Sequence, residues 1–254
     1  MGFLEVREHK AALEDWLQTP LGRALLKRES RLVEEACDGI FGVEFVQIGL
    51  WGEGREFLRH ARTQRTTLLA GDSEGQPDVV GQPYCLPLQS DSVDAVLLPH
   101  TLDFCDRPHD VLREVDRVLR ADGRIVILGF KTGGLWGLRR QLPGGDYPPG
   151  LQSHIPDRQL SDWLRLLNMR IQAVERYFFQ WPRRGNRGSK AFMTWERRGQ
   201  RWWPELAACY MLTAQKRVYT LTPVKKRWLS QPKVVGGLVK PTTRITQVRF
   251  GKDS

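Results

Sequence analysis

The chain has 254 residues, 41% hydrophobic and 27% charged, with a formal net charge of +10. That is apolar material enough for one large domain with appendages, and it excludes wholesale disorder. The best apolar runs, Ala95–Pro99 and Arg124–Phe130, have strand length, so no membrane span is expected, and charges occupy the first residues where a secretion signal would need its apolar core.

Residues 10–39 read as helices. Ala11, Leu13, Trp16 and Leu17 share one face. Thr19 caps a second helix that has Pro20 at its first position, Leu21, Ala24, Leu25, Leu32 and Ala36 along one side, and Gly39 as its stop. Phe45–Leu50 is a short apolar run and reads as a strand. A glycine turn follows, then a helix over Glu53–Ala61 and a strand over Thr66–Ala70. Residues 71–87 are broken by Gly71, Gly75, Pro77, Gly81, Pro83 and Pro87. Ala95–Leu98 is apolar on both faces, as in a parallel sheet. Pro108–Arg120 is the clearest helix, with Val111, Leu112, Val115, Val118 and Leu119 inward and Gly123 expected to supply the left-handed residue that ends it. Arg124–Phe130 is a buried strand, Asp157–Met169 a helix, and Ile171–Phe179 and Ala207–Val218 two long strands. Residues 219–254 show no sustained periodicity and read as a basic, mostly disordered tail.

Strands buried on both faces, alternating with helices, specify an open α/β sheet. Its ligand site is expected beyond the carboxyl ends of the strands, after Leu50, Ala70, Leu98 and Phe130. The chain divides into an N-terminal helical cap over residues 1–40, a Rossmann-like domain over 41–218 and the tail.

A stronger signal lies in Leu86-Pro87-Leu88, then Asp91-Ser92-Val93-Asp94-Ala95-Val96, then Leu112-Arg113-Glu114-Val115-Asp116-Arg117-Val118-Leu119, ending in Ala121-Asp122-Gly123. In order and spacing this resembles the class I S-adenosylmethionine-dependent methyltransferases of the UbiE-like, type 11 group. The resemblance covers roughly Glu44–Phe130, and 157–218 by element order; Gly129–Arg140 also looks like a small bacterial subgroup of that family. It implies a seven-stranded, mostly parallel sheet with helices on both faces and the last two strands as an antiparallel edge. It also implies S-adenosylmethionine as cofactor, no metal, and methyl transfer to an unidentified acceptor.

The same resemblance places the cofactor residues. After the first strand the family has an acid and then a run of glycines. Here Gly49 matches, Gln47 stands in place of the acid, Trp51 takes the middle-glycine position, and Gly52 and Gly54 follow. Asp72, 18 residues past Gly54, is the candidate for the ribose hydroxyls, which need a group with two acceptors. Gln82 and Pro83 stand where the family contacts adenine. His100, past the strand Ala95–Leu98, is the candidate general base and equally a candidate wall of the cofactor pocket; Asp103 and Cys105 are further candidates. Gly71-Asp72-Ser73-Glu74-Gly75 also matches the nucleophile-elbow pattern of serine hydrolases, but Pro77 denies it the helix that an elbow needs.

The charge is unevenly spread. Residues 1–180 hold 22 Lys+Arg against 26 Asp+Glu, whereas residues 215–254 hold 10 against 1. A basic loop over 181–203 interleaves Arg183, Arg184, Arg187, Arg197, Arg198 and Arg201 with Trp181, Trp195, Trp202 and Trp203. Cations of Arg183–Arg201 and Lys216–Lys252 fit nucleic acid or an anionic surface. A second reading is therefore a catalytically inactive methyltransferase-like module that binds RNA or a protein partner through this loop and tail. A third is an enzyme acting on a lipid-like acceptor, with the tail as anchor. Residues 131–156, with Trp136, Arg139 and Arg140, are expected to cover the substrate side as a lid. Cys37, Cys85, Cys105 and Cys209 form no Cys-x-x-Cys pair, which argues against a zinc site and fits a reducing cytoplasm.

Overall fold

The computed structural model describes residues 11–73, 75–131, 133–134, 136–137, 148–151, 155–179 and 203–217. Helical residues 11–17 (α1) lead into α2 (Pro20–Cys37), β1 (Glu44–Ile48), β2 (Arg65–Ala70), β3 (Val79–Val80) and β4 (Val93–Pro99). Then come α3 (Pro108–Val118), β5 (Leu119–Phe130), α4 (Asp157–Leu166), β6 (Met169–Tyr177) and β7 (Cys209–Lys216). The strands form the expected seven-stranded sheet in the order β3-β2-β1-β4-β5-β7-β6. Strands β3 to β5 run parallel; β7 is antiparallel to both β5 and β6.

Two-residue alternation along the strands feeds two cores. On one face Leu25, Leu32 and Val33 of α2 pack over Phe45, Leu68, Leu97, Val126 and Met211. On the other, Val111 and Val115 of α3 and Leu160 and Leu164 of α4 pack over Val46, Leu69, Val96, Ile125 and Leu212. Each such fully buried side chain contributes roughly 1.5–3 kcal/mol. Thr19 caps α2 as its sequence implies: its Oγ1 accepts from Gly22 N at 3.2 Å and donates to Trp16 O at 2.6 Å.

The motif residues on α3 have a mechanical role. Glu114 accepts from Leu86 N at 2.8 Å, and Arg117 donates to the carbonyls of Leu86 and Leu88 at 3.0 and 2.9 Å. The loop entering β4 is thereby strapped to the helix leaving it.

Three local expectations are corrected. The helix over Glu53–Ala61 is only a 3₁₀ turn at Phe57–His60, because α2 occupies the sheet face it would cover and Phe57 and Leu58 bury against the same core. The short strand β3 arises inside the segment read as irregular, held by Asp78 N to Leu68 O and Gly81 N to Ala70 O. The left-handed residue after α3 is Asp122, at φ +63°, and not Gly123; a short polar side chain tolerates that conformation.

Trp136, expected in the lid, packs into the core. It is buried, stacked on Phe130 with centroids 5.8 Å apart and edge-on to Trp16 and Phe178. Arg139, Arg140, most of the expected lid, the basic loop apart from Trp203, and the tail lie outside the described residues. Among the described residues no helix is long and apolar enough to cross a membrane.

Candidate functional site

A cavity of about 570 Å³ opens at the carboxyl ends of β1, β2 and β4, a volume that suits a nucleoside-sized ligand. Six of the predicted residues line it together: Gly49, Asp72, Gln82, Pro83, His100 and Cys105. They come from three separate strand ends and the loop after β3, so the sheet order assembles the site.

Gly49 ends β1 at φ +98°, and its N–H still donates to Leu69 O at 2.8 Å. A Cβ there would lie 2.6 Å from Thr101 Oγ1. The turns after β1 and β4 thus approach too closely for any side chain. The Thr101 hydroxyl closes the contact by donating to Ile48 O.

Gln47 does not face the cavity wall. It is fully buried, and its Nε2 donates to Gly49 O at 3.0 Å and Gly54 O at 2.9 Å, bracing the glycine turn from within. A carboxylate has no N–H for either carbonyl. Its Oε1 has no hydrogen-bond partner. Gly52 and Gly54, at φ +63° and +76°, keep the turn's left-handed backbone but line a second cavity of about 720 Å³, which shares Leu50 with the first.

Trp51, at the middle-glycine position, points away from the cavity. It is 3% exposed, its ring lies tilted on His100 with centroids 4.2 Å apart, and its Nε1 donates to Glu29 Oε2 at 2.7 Å. The departure from glycine therefore leaves the space above Gly49 open.

Asp72 lies just past β2, on the cavity wall beside Gly71 and Gln82. The loop that carries it is pinned further on by Asp78, which accepts from Arg55 Nη2 at 2.6 Å and Leu68 N at 2.8 Å. These two donors, Arg55 first, hold the Asp78 carboxyl below its ordinary range.

His100 is at φ +56° with its side chain fully buried. Its Nδ1 meets Asp103 Oδ2 at 3.0 Å and its Nε2 meets Glu29 Oε1 at 2.9 Å. Burial works against its charge, but Glu29 and Asp103 more than offset this and raise its pKa from 6.5 to about 9. A ring that holds both protons at neutral pH, with both nitrogens engaged, has no site free to accept a proton from a substrate. The general-base candidacy of His100 is thereby corrected; its place in the cavity wall remains. Asp103 also accepts from Phe130 N at 3.0 Å, and burial pushes its carboxyl pKa up. Burial likewise pushes up the Cys105 thiol, which disfavours the thiolate.

Sequence reasoning missed Glu29. Its carboxylate, fully buried, accepts from His100 Nε2, from Tyr177 OH at 3.0 Å and from Trp51 Nε1. The signal was present: position 29 falls on the apolar stripe of α2, four residues after Leu25 and three before Leu32. An acid on a core stripe calls for buried donors. Among the described residues no three His, Cys, Asp or Glu side chains gather as a metal site, and no helix follows Ser73 before β3.

Residues 43–127 match a family model described as a methyltransferase domain. The uncharacterized protein YafS of Escherichia coli (strain K12) is 31% identical over 217 residues, which cover 83% of this chain and 85% of that protein. Among solved structures, a SAM-dependent methyltransferase from Archaeoglobus fulgidus aligns with a TM-score of 0.54 at 17% identity, covering 76% of this chain and 94% of the other. An S-adenosylmethionine-dependent methyltransferase from Mesorhizobium loti aligns with a TM-score of 0.53 at 15% identity, covering 73% and 96%.

Proposed function

The chain belongs to the class I S-adenosylmethionine-dependent methyltransferases of the type 11 group, and from this premise we propose that it transfers a methyl group to an acceptor that enters beside the turn after β4. The observation that carries the reading is the convergence of Gly49, Asp72, Gln82 and Pro83 on one cavity at the strand ends. These residues fit the cofactor. Gly49 lines the cavity without a side chain of its own, the Asp72 carboxylate suits vicinal hydroxyls, and Gln82 and Pro83 border the place for the base. When bound, S-adenosylmethionine supplies a methyl group on a cationic sulfur that leaves as a neutral thioether.

The protein's contribution is positional. Pro99, Thr101 and Phe104 wall the part of the cavity next to Gly49 and limit water there. With His100 committed to Glu29 and Asp103, rate acceleration rests on alignment and proximity. Calorimetric titration of the full chain with S-adenosylmethionine and S-adenosylhomocysteine tests this. Micromolar binding, weakened at least ~10-fold by Asp72→Ala and by Gly49→Trp, supports it. A well-folded chain that binds neither compound sinks it.

The alternative, a non-catalytic module that binds RNA or a protein partner, draws its support from the 10 basic and 1 acidic residues of 215–254. It predicts RNA affinity that falls steeply with salt and disappears when residues 219–254 are removed. Salt-sensitive affinity that survives the truncation would count against the tail's part in it.

A further inference from the structure

We infer that Glu29 is a positioning residue for the cofactor cleft: it ties the turn after β1 to the turn after β4 through Trp51 and His100, and so makes α2 part of the cofactor-binding apparatus. The inference rests on the reading that the cleft holds S-adenosylmethionine. It goes beyond that reading because Glu29 lies outside the cavity lining and outside the family's glycine pattern, and acts only through residues that border them.

The Glu29 carboxylate holds three donors at once. Oε1 takes His100 Nε2 at 2.9 Å and Tyr177 OH at 3.0 Å, and Oε2 takes Trp51 Nε1 at 2.7 Å. The indole N–H can only donate, so the group facing it must accept. Two of these donors, Trp51 and His100, sit next to a wall of the cleft. Trp51 is two residues past Gly49 and three before Gly54, inside the turn that Gln47 braces. His100 immediately precedes Thr101, whose hydroxyl holds Ile48 O and abuts Gly49. The Trp51 and His100 rings also lie against each other at 4.2 Å. A shift of Glu29 therefore moves both walls at once. Burial makes the link stiff, since Glu29 and His100 are fully buried and have no water to replace a lost partner. Tyr177 and the Asp103 bond to Phe130 N add anchors on β6 and β5, so the link is referenced to the sheet and not to a loop.

Seen this way, the tryptophan at a glycine position is a substitution with a function. The turn gives up a small residue and gains an anchor to a helix that precedes the sheet in the chain.

Three full-length variants test the inference: Trp51→Phe, which keeps a ring on His100 but lacks the N–H; Glu29→Gln, which keeps the shape of the side chain; and the double variant. S-adenosylmethionine affinity is measured by calorimetry well below each thermal midpoint, and amide exchange over residues 49–54 and 100–102 is measured without ligand. Each single variant is expected to raise Kd ~5- to 30-fold and to speed exchange in both segments. The Trp51→Phe effect is expected to shrink in the Glu29→Gln background, since the amide leaves a single acceptor oxygen for three donors and the indole contact is already weakened there. A purely structural role would lower the thermal midpoint and leave Kd of the folded protein unchanged. Wild-type affinity in both single variants, with exchange unchanged over 49–54, or fully additive effects on Kd, would overturn the inference. A wild-type chain that fails to bind overturns the reading of the cleft instead, and that failure is visible in the first titration.

Discussion

Trp51 lies on His100, ring centroids 4.2 Å apart, where the family's pattern has a glycine. The contact joins the first residues after β1 to the first after β4, the two strand ends that open into the cavity. It explains how a bulky side chain enters this turn without filling the cavity.

Restoring the glycine is therefore not expected to restore anything. Trp51→Gly removes a buried indole and the Glu29 hydrogen bond together, and is expected to cost about 3–5 kcal/mol of stability with no gain in S-adenosylmethionine affinity. Urea unfolding and calorimetry on the same preparation check both parts.

Gln47→Glu is expected to destabilise as well, by about 3 kcal/mol at neutral pH. The new carboxylate would face the carbonyls of Gly49 and Gly54, which now accept from the amide. Those carbonyls and burial would raise its pKa in the folded chain. Its protonated form can still donate to one carbonyl, so the deficit should be smallest below pH ~4.3, grow as pH rises from there and level off above the raised folded-state pKa. Denaturation midpoints of the variant relative to wild type, followed across pH, read this directly.

The wild-type chain carries its own pH signature. His100 has a folded-state pKa raised from 6.5 to about 9, so its contribution to stability is fully present below pH 6.5 and is lost as pH rises through 9. Unfolding free energy is expected to fall over that window, and the fall is expected to be smaller in His100→Asn. NMR titration of the His100 ring gives the same answer independently: a midpoint near 6.5 would contradict the buried pairing.

Much of the fold was legible because its signals are local. Thr19-Pro20 marks the start of α2, the run Leu86 to Leu119 marks β4 and α3, and the family's pattern carries over to Gly49, Asp72 and Gln82. What was not legible depended on partners distant in sequence. The helix expected after Gly54 is displaced by α2, which precedes the sheet in the chain. Strand β3 has two residues, too few for any period. The roles of Gln47 and Trp51 follow from contacts within the turn and with Glu29, not from their residue types. His100 looked like a base because histidine at a strand end often is one; only the carboxylates of Glu29, 71 residues away, and Asp103 show that its nitrogens are spoken for.

The cavity between the β1, β2 and β4 ends is the site proposed for the cofactor. A crystal structure of the full chain grown with S-adenosylhomocysteine tests it most directly. The ribose hydroxyls are expected on the Asp72 carboxylate, the base beside Gln82 and Pro83, and the remainder of the ligand against Gly49. Ligand bound elsewhere, or a cleft that stays empty at saturating concentration, would contradict it.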